Sequence, residues 1–247
     1  MATQSTFSMT LHGRHEPFEL QVGRGQIPYH QSVTIFGYNA NVGTTPIPIW
    51  EQNTAYVYIT SASSLNVAST SADTANVTIS GLDSSYNPIS ETVTLNGTSN
   101  VATVNSYYRV NSMVTVSGNA AGTVTAKQGT NTVIQMNPNI GKSQNSWYTV
   151  PANSTFYLTR VEVSTNLSYA GSVYNIYRVN ATGSNGTQLV ILQQPFVGTF
   201  IAIRTIPYGY AAGTDIQFQV NTSTGSSVVG IIVEGYTILN QPTSIGY

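Results

Sequence analysis

The sequence predicts an all-β protein: two antiparallel β-sandwich, jelly-roll-like domains preceded by an extended N-terminal arm. Three observations carry this. Strand-favouring Val, Ile, Tyr, Phe and Thr recur throughout the 247 residues, with 16 Tyr among them. Apolar residues alternate with polar ones in short runs, and Gly, Asn-Gly and Asn-Pro turn signals separate the runs. Only 7% of residues are charged, so polarity comes from Ser, Thr, Asn, Gln and Gly, and no segment shows a convincing helical period.

The elements follow in order. Residues 1–31 hold all three histidines (His12, His15, His30) with Arg14, Glu16, Glu19 and Arg24, and read as an arm. Within it, GRGQIP (23–28) is turn-rich and extended. The first domain spans 32–138. SVTIFGY (32–38) opens it as a strand. TTPIPIW (44–50) has prolines two apart, which removes ladder donors and suits an edge or linker. AYVYIT (55–60) and NVTIS (76–80) alternate as strands. GLDSSYNP (81–88) is turn chemistry, with Asp83 as an Asx-type acceptor. ISETVTL (89–95) is a strand with Glu91 on its apolar face, expected at an edge or beside an arginine. Asn96-Gly97 is a tight turn, after which SNVATV (99–104) folds back. YYRVNSMVTVSG (107–118), AGTVTAKQG (121–129) and TVIQM (132–136) continue the pattern.

NPNIGKSQNS (137–146) lacks periodicity and marks the domain boundary. The second domain spans 139–247. In SWYTVPANSTFYLTRVEVST (146–165), Leu158 and Val161 fall on opposite faces of an ideal strand, which predicts a bulge near Arg160. SVYNIYRVNA (172–181), TQLVILQQ (187–194) and TFIAIRTI (199–206) follow. TDIQFQVN (214–221) predicts one buried and one wet face. VVGIIV (228–233) is apolar on both faces and belongs at a sheet centre or against a partner.

Composition limits function. No cysteine is present, which excludes disulfides and Cys-ligated metal. The start lacks a secretory pattern and no run reaches membrane-span length. With net charge −1 and no basic patch, nucleic-acid binding lacks an electrostatic footprint. From residue 37 onward there are seven acids, six bases and no histidine. They are scattered, with no nucleophile, zinc or phosphate motif among them. The expectation is a protein that is not an enzyme, with no catalytic, cofactor or metal residues. His12, His15 and Glu16 could ligate a metal, but a partner-binding arm using His12, Arg14, His15, Phe18 and Arg24 is the preferred reading. In PYGY (207–210), Tyr208 and Tyr210 are expected as an exposed aromatic loop.

Three blocks carry a family resemblance. GLDSSYNPISETVTLNGTSNVATVNSYYRVN (81–111), EPFELQVGRGQIPYHQSVTIFGYN (16–39) and WYTVPANSTFYLTRVEVST (147–165) resemble segments of tailed-phage virion proteins, notably from phages of cyanobacteria and other aquatic bacteria. The resemblance implies a virion structural protein made in the host cytoplasm. The expected role is a capsid decoration, or cement, protein on the head exterior. It would bind the major capsid protein through the arm and self-associate as a homotrimer. Neither nucleic acid nor membrane is an expected partner. The alternative is a tail, collar or fibre component that adheres to host glycans.

Overall fold

The computed structural model describes residues 10–11, 14–167, 173–182 and 187–240. Strands β1 (Thr10–Leu11) and β2 (Arg14–His15) precede helix α1 (Phe18–Gly23), β3 (His30–Val42) and β4 (Ile47–Pro48). Next come β5 (Asn66–Ser69), β6 (Asn76–Leu82), β7 (Pro88–Thr94), β8 (Val101–Ala102), β9 (Arg109–Thr115), β10 (Val124–Gln128) and β11 (Asn131–Met136). The chain closes with β12 (Trp147–Thr149), β13 (Ser154–Thr165), β14 (Asn175–Thr182), β15 (Gln188–Phe196), β16 (Thr199–Ala211), β17 (Asp215–Thr222) and β18 (Ser227–Leu239). The fold is all-β with antiparallel sheets, as the composition predicts.

The sheets pack in pairs around two cores. In the larger unit, a sheet of order β16-β13-β18-β3 faces one of order β12-β17-β14-β15, with β4 also on β17. Phe156, Leu158, Val163 and Val233 of the first sheet meet Tyr177, Val179, Phe218 and Val220 of the second. In the smaller unit, β11-β10-β5-β8 faces β7-β6-β9. Val67, Val124 and Ile134 there pack against Val77, Ile79 and Met113.

Sheet membership corrects the expected domain boundaries. β3 pairs with β18 from His30 to Val42, so the first strand of the expected 32–138 domain belongs to the larger unit. The smaller unit is an insertion, and its point of entry is a break in one edge strand. β4 lies opposite Val220 and Gln219 of β17, and β12 lies opposite Gln217, Ile216 and Asp215 of the same strand. The chain therefore leaves the edge after Ile49 and resumes it at Ser146, both opposite Phe218. Ser146 closes the gap. Its N–H donates to Ile49 O (3.0 Å) and its carbonyl accepts from Phe218 N–H (2.9 Å). Its hydroxyl accepts from Ile49 N–H (2.6 Å) and donates to Phe218 O (2.7 Å). The aperiodic 137–146 segment, expected as a boundary between successive domains, is thus the return crossing from the inserted unit.

Several local expectations hold. Asp83 Oδ1 accepts the N–H groups of Ser85 (2.8 Å) and Asn87 (2.9 Å), an Asx turn. The β13 register shifts between Leu158 and Arg160, which returns Leu158 and Val161 to the core face. β18 is central, between β13 and β3. Glu91 lies on the edge strand β7, the first of its two expected settings, and its carboxylate accepts from Val104 (2.7 Å) and Asn105 (2.8 Å) N–H. Others differ. Val101–Ala102 pairs with β5 instead of folding back on β7. AYVYIT is no strand; its tyrosines join the junction described below. β17 is buried on both faces, because the smaller unit and its connections cover the side expected to be wet. The arm is not extended throughout: residues 18–23 are helical, and α1 rests on β3.

Gly37 lies beneath the mended break. A Cβ there would sit 2.5 Å from Ile49 O and 2.9 Å from Ser146 Cβ, both held by the sheet. Ser146→Ala removes both hydroxyl bonds and leaves Ile49 N–H and Phe218 O with only their own long bond (3.3 Å), a cost of about 1–3 kcal/mol in all. The expected outcome is a clear drop in the urea midpoint for Ser146→Ala and a larger one for Gly37→Ala. The exposed-face variant Ser90→Ala serves as control. Equal midpoints for all three would contradict the stitching role.

Candidate functional site at the junction of the two units

The most organised polar cluster lies where β9 of the smaller unit meets β17 of the larger. Arg109 opens β9 and Asp215 opens β17. The guanidinium Nε and Nη2 each donate to a different Asp215 oxygen at 2.8 Å, a bidentate pair with both side chains under one-tenth exposed. Arg109 Nη1 donates to Ile59 O (2.9 Å) and Tyr108 O (2.8 Å), and Thr149 Oγ1 donates to Asp215 Oδ1 (2.6 Å). The guanidinium carbon also lies 4.0 Å from the Tyr108 ring centroid and 4.7 Å from that of Tyr58. Burial alone pulls the arginine down, but the hydrogen bonds and charge of Asp215 raise it above its ordinary value. With almost every donor satisfied, this pair meets the condition under which a buried ion pair is tolerated.

An aromatic wall flanks the pair. Tyr56 stacks on Trp147 with centroids 3.9 Å apart, Trp50 meets Trp147 edge-on at 5.3 Å, and Tyr58 meets Tyr56 at 4.9 Å. Trp147 Nε1 donates to Val110 O (2.9 Å), tying β12 to β9. Asn111 completes the seam: it donates to Thr149 O (3.1 Å) and accepts from Thr149 N–H (2.9 Å). Burial pushes the Tyr56 and Tyr58 hydroxyls above their ordinary range, so both rings stay neutral. Sequence reasoning missed this site. Its available signal was the placement of the two tryptophans, Trp50 and Trp147, one at each crossing.

On the side near Ser32–Phe36 the units leave a cleft of about 570 Å³. Ser32, Thr34, Ser80, Ser90 and Asn111 give it hydroxyl and amide groups. Lys142 provides its cation, held 5.1 Å from the Phe36 ring centroid and lowered from its ordinary value by burial. Glu51 sits at the outgoing crossing. Its Oε1 accepts from Asn137 N–H (3.2 Å), while Oε2 is buried without a partner. Burial raises this carboxyl to about 7, against the opposing effect of the Asn137 N–H.

The sequence-predicted site residues do not converge. His12 lies outside the described residues. Arg14 and His15 form β2, paired with Leu11 and Thr10. Phe18 is part-exposed and packs edge-on against Tyr236 (5.5 Å) and His30 (5.7 Å). Arg24 pairs with Glu16 at the surface (2.5 Å). PYGY is not a loop; it lies within β16, paired with β13. Two apart on the strand, its tyrosines share a face and their rings meet at 4.9 Å, but they differ in depth. Tyr208 is half-exposed, but Tyr210 is 4% exposed and packs on Phe156, which corrects the expected exposed pair. Among the described residues no group of three or more His, Asp or Glu is placed to hold a metal ion. No described helix is long and apolar enough to cross a membrane.

Removing one partner of the junction pair leaves a buried charge. Arg109→Met is expected to cost about 3–5 kcal/mol in equilibrium unfolding, and combining it with Asp215→Leu should recover much of the loss. An additive double variant would contradict the pairing. For Glu51, the folded value lies above the unfolded one of 4.5. Its contribution is therefore fully present below that value and is lost as pH rises through about 7. Glu51→Gln should flatten the decline in thermal midpoint between those limits; an unchanged slope would refute the assignment.

No family model matches the chain, and no curated protein matches it. Weak structural similarity links it to a viral capsid protein. One such structure is of the infectious bursal disease virus Gx strain, with 11% identity over 88% of this chain and 73% of that one, at a TM-score of 0.22. A second is the VP2 subviral particle of infectious bursal disease virus, with 11% identity over 87% and 82%, at a TM-score of 0.14. At these scores the similarity carries no argument about function.

Proposed function

We propose that the protein is a virion structural component, and within that class a capsid decoration protein that binds the outside of the head lattice. The observation that carries the reading is the broken edge strand. It makes the larger unit a base from which the smaller unit emerges as a second, rigidly attached body. The larger unit's strand order supports this. Counting β4 and β12 as one strand, its sheets run β3-β18-β13-β16 and β4/β12-β17-β14-β15. That is the double Greek key of a jelly roll, a fold that capsid proteins share with lectins and enzymes. Fold alone does not assign function. The resemblance of 16–39, 81–111 and 147–165 to phage virion proteins supports the narrower reading.

In this reading the protein is not an enzyme. Its buried ion pair, its tryptophans and its serine stitch are all engaged in holding the units together. Residues 1–15 are the arm that engages the major capsid protein; from Phe18 onward the segment packs on the larger unit. The glycan-adhesion alternative relied on an exposed tyrosine pair, and with Tyr210 in the core no specific observation favours it.

Quantitative mass spectrometry of purified virions tests the role. The expected result is a molar amount comparable to the major capsid protein. A chain without residues 1–15 should keep its circular dichroism and thermal midpoint but lose capsid attachment. A copy number far below that of the capsid protein, or full attachment without the arm, would overturn the proposal.

A further inference from the structure

β15 and β16 are joined by a two-residue turn yet belong to different sheets, each as an edge strand with one paired neighbour. Together they form the open side of the larger unit. Edge strands of soluble proteins are normally blunted with charge. Here β15 carries no charged residue and β16 only Arg204, which is half-buried. In charge's place the side presents Leu189 (52% exposed), Val190 (55%), Ile201 (51%), Ile203 (76%), Ile206 (85%) and Tyr208 (50%).

The most exposed of these sits on a projection. β13 pairs Leu158 with Tyr208 and then Arg160 with Ile203. One residue of β13 therefore faces four of β16, and Arg204–Pro207 swell outward with Ile206 on the swelling. Beside it is a depression of about 600 Å³, with Phe18, Ile203 and Tyr236 among its apolar walls and two acids, Glu19 and Glu234, and two bases, Arg160 and Arg204, also lining it. One chain thus carries both an apolar knob and an adjoining hollow whose walls are part apolar and part charged.

We propose that this side is a self-association interface whose occupant is a second copy of the same chain. Three points select that occupant. The six side chains together expose on the order of 700 Å² along the two edge strands, close to the ~800 Å² per partner of a stable interface. The two strands carry one charge between them and the hollow's two acids are matched by two bases, so two identical surfaces meet without net repulsion. The knob and hollow lie side by side, so each copy supplies what the other needs. Pro195 and Pro207 remove backbone donors from the two edges, so the contact is made by side-chain faces rather than by continuing a sheet. The inference does not depend on the virion reading.

The test is light scattering after size exclusion on the full chain between about 5 and 100 µM, a range set by ordinary interface affinities. The wild type is expected to be oligomeric. Ile206→Lys and, separately, Ile203→Lys should weaken association at least tenfold while leaving the circular dichroism unchanged. Val104→Lys, at a 91% exposed position in the smaller unit, should associate like the wild type. A monomeric wild type at the highest concentration overturns the proposal, as does an Ile206→Lys protein that is folded and still oligomeric. Equal dissociation by Val104→Lys would also overturn it, since the effect would not belong to this side.

Discussion

The rest of the structure depends on how one edge strand survives being cut. An edge strand needs only one neighbour, so a gap in it costs fewer ladder bonds than a gap in a central strand. The chain uses that tolerance between Ile49 and Ser146 and places a complete β unit in the gap. What the gap exposes is a short run of backbone opposite Phe218. Ser146 supplies two main-chain and two hydroxyl bonds at that point. Gly37 allows the facing sheet to approach the repair closely. A larger residue at either position disturbs both sheets of the larger unit together.

A repaired strand alone would leave two bodies on a hinge of two chain crossings. The junction removes that freedom. Arg109 and Asp215 come from different units and satisfy one another within an aromatic wall built from both crossings. A buried ion pair is weak evidence for stability, because desolvation offsets much of its attraction. Its bidentate geometry does fix orientation, since the planar fork accepts its carboxylate in few poses. The pair therefore specifies how the units sit, while the two hydrophobic cores supply most of the folding free energy.

Much of this was legible in the residues. Alternation and turn chemistry located most strands, the Asx turn at Asp83, the bulge before Arg160 and the central position of β18. These are local properties, set by neighbours in the chain. What the sequence did not reveal is long-range. Nothing in SVTIFGY says that its partner is β18 rather than a strand of the following hundred residues. AYVYIT has a strand pattern, but its tyrosines find better burial against Trp147 than a ladder would give them. TDIQFQVN has a wet face by pattern, and tertiary covering makes it dry. The junction was invisible for the same reason, since Arg109 and Asp215 are 106 positions apart. The tyrosines of PYGY were misread because a Pro-Gly pair signals a turn locally, whereas β16 absorbs it next to an outward swelling.

These features describe a chain that devotes its polar chemistry to rigidity and leaves its apolar chemistry on one open side. That division suits a component of a larger assembly. Mechanically, the break and the junction make two β units behave as one body. Differential scanning calorimetry tests this most directly, because independently folding domains depart from two-state behaviour. The account predicts one transition whose calorimetric and van't Hoff enthalpies agree for each unfolding unit. Two resolved transitions in the unaltered chain would contradict it.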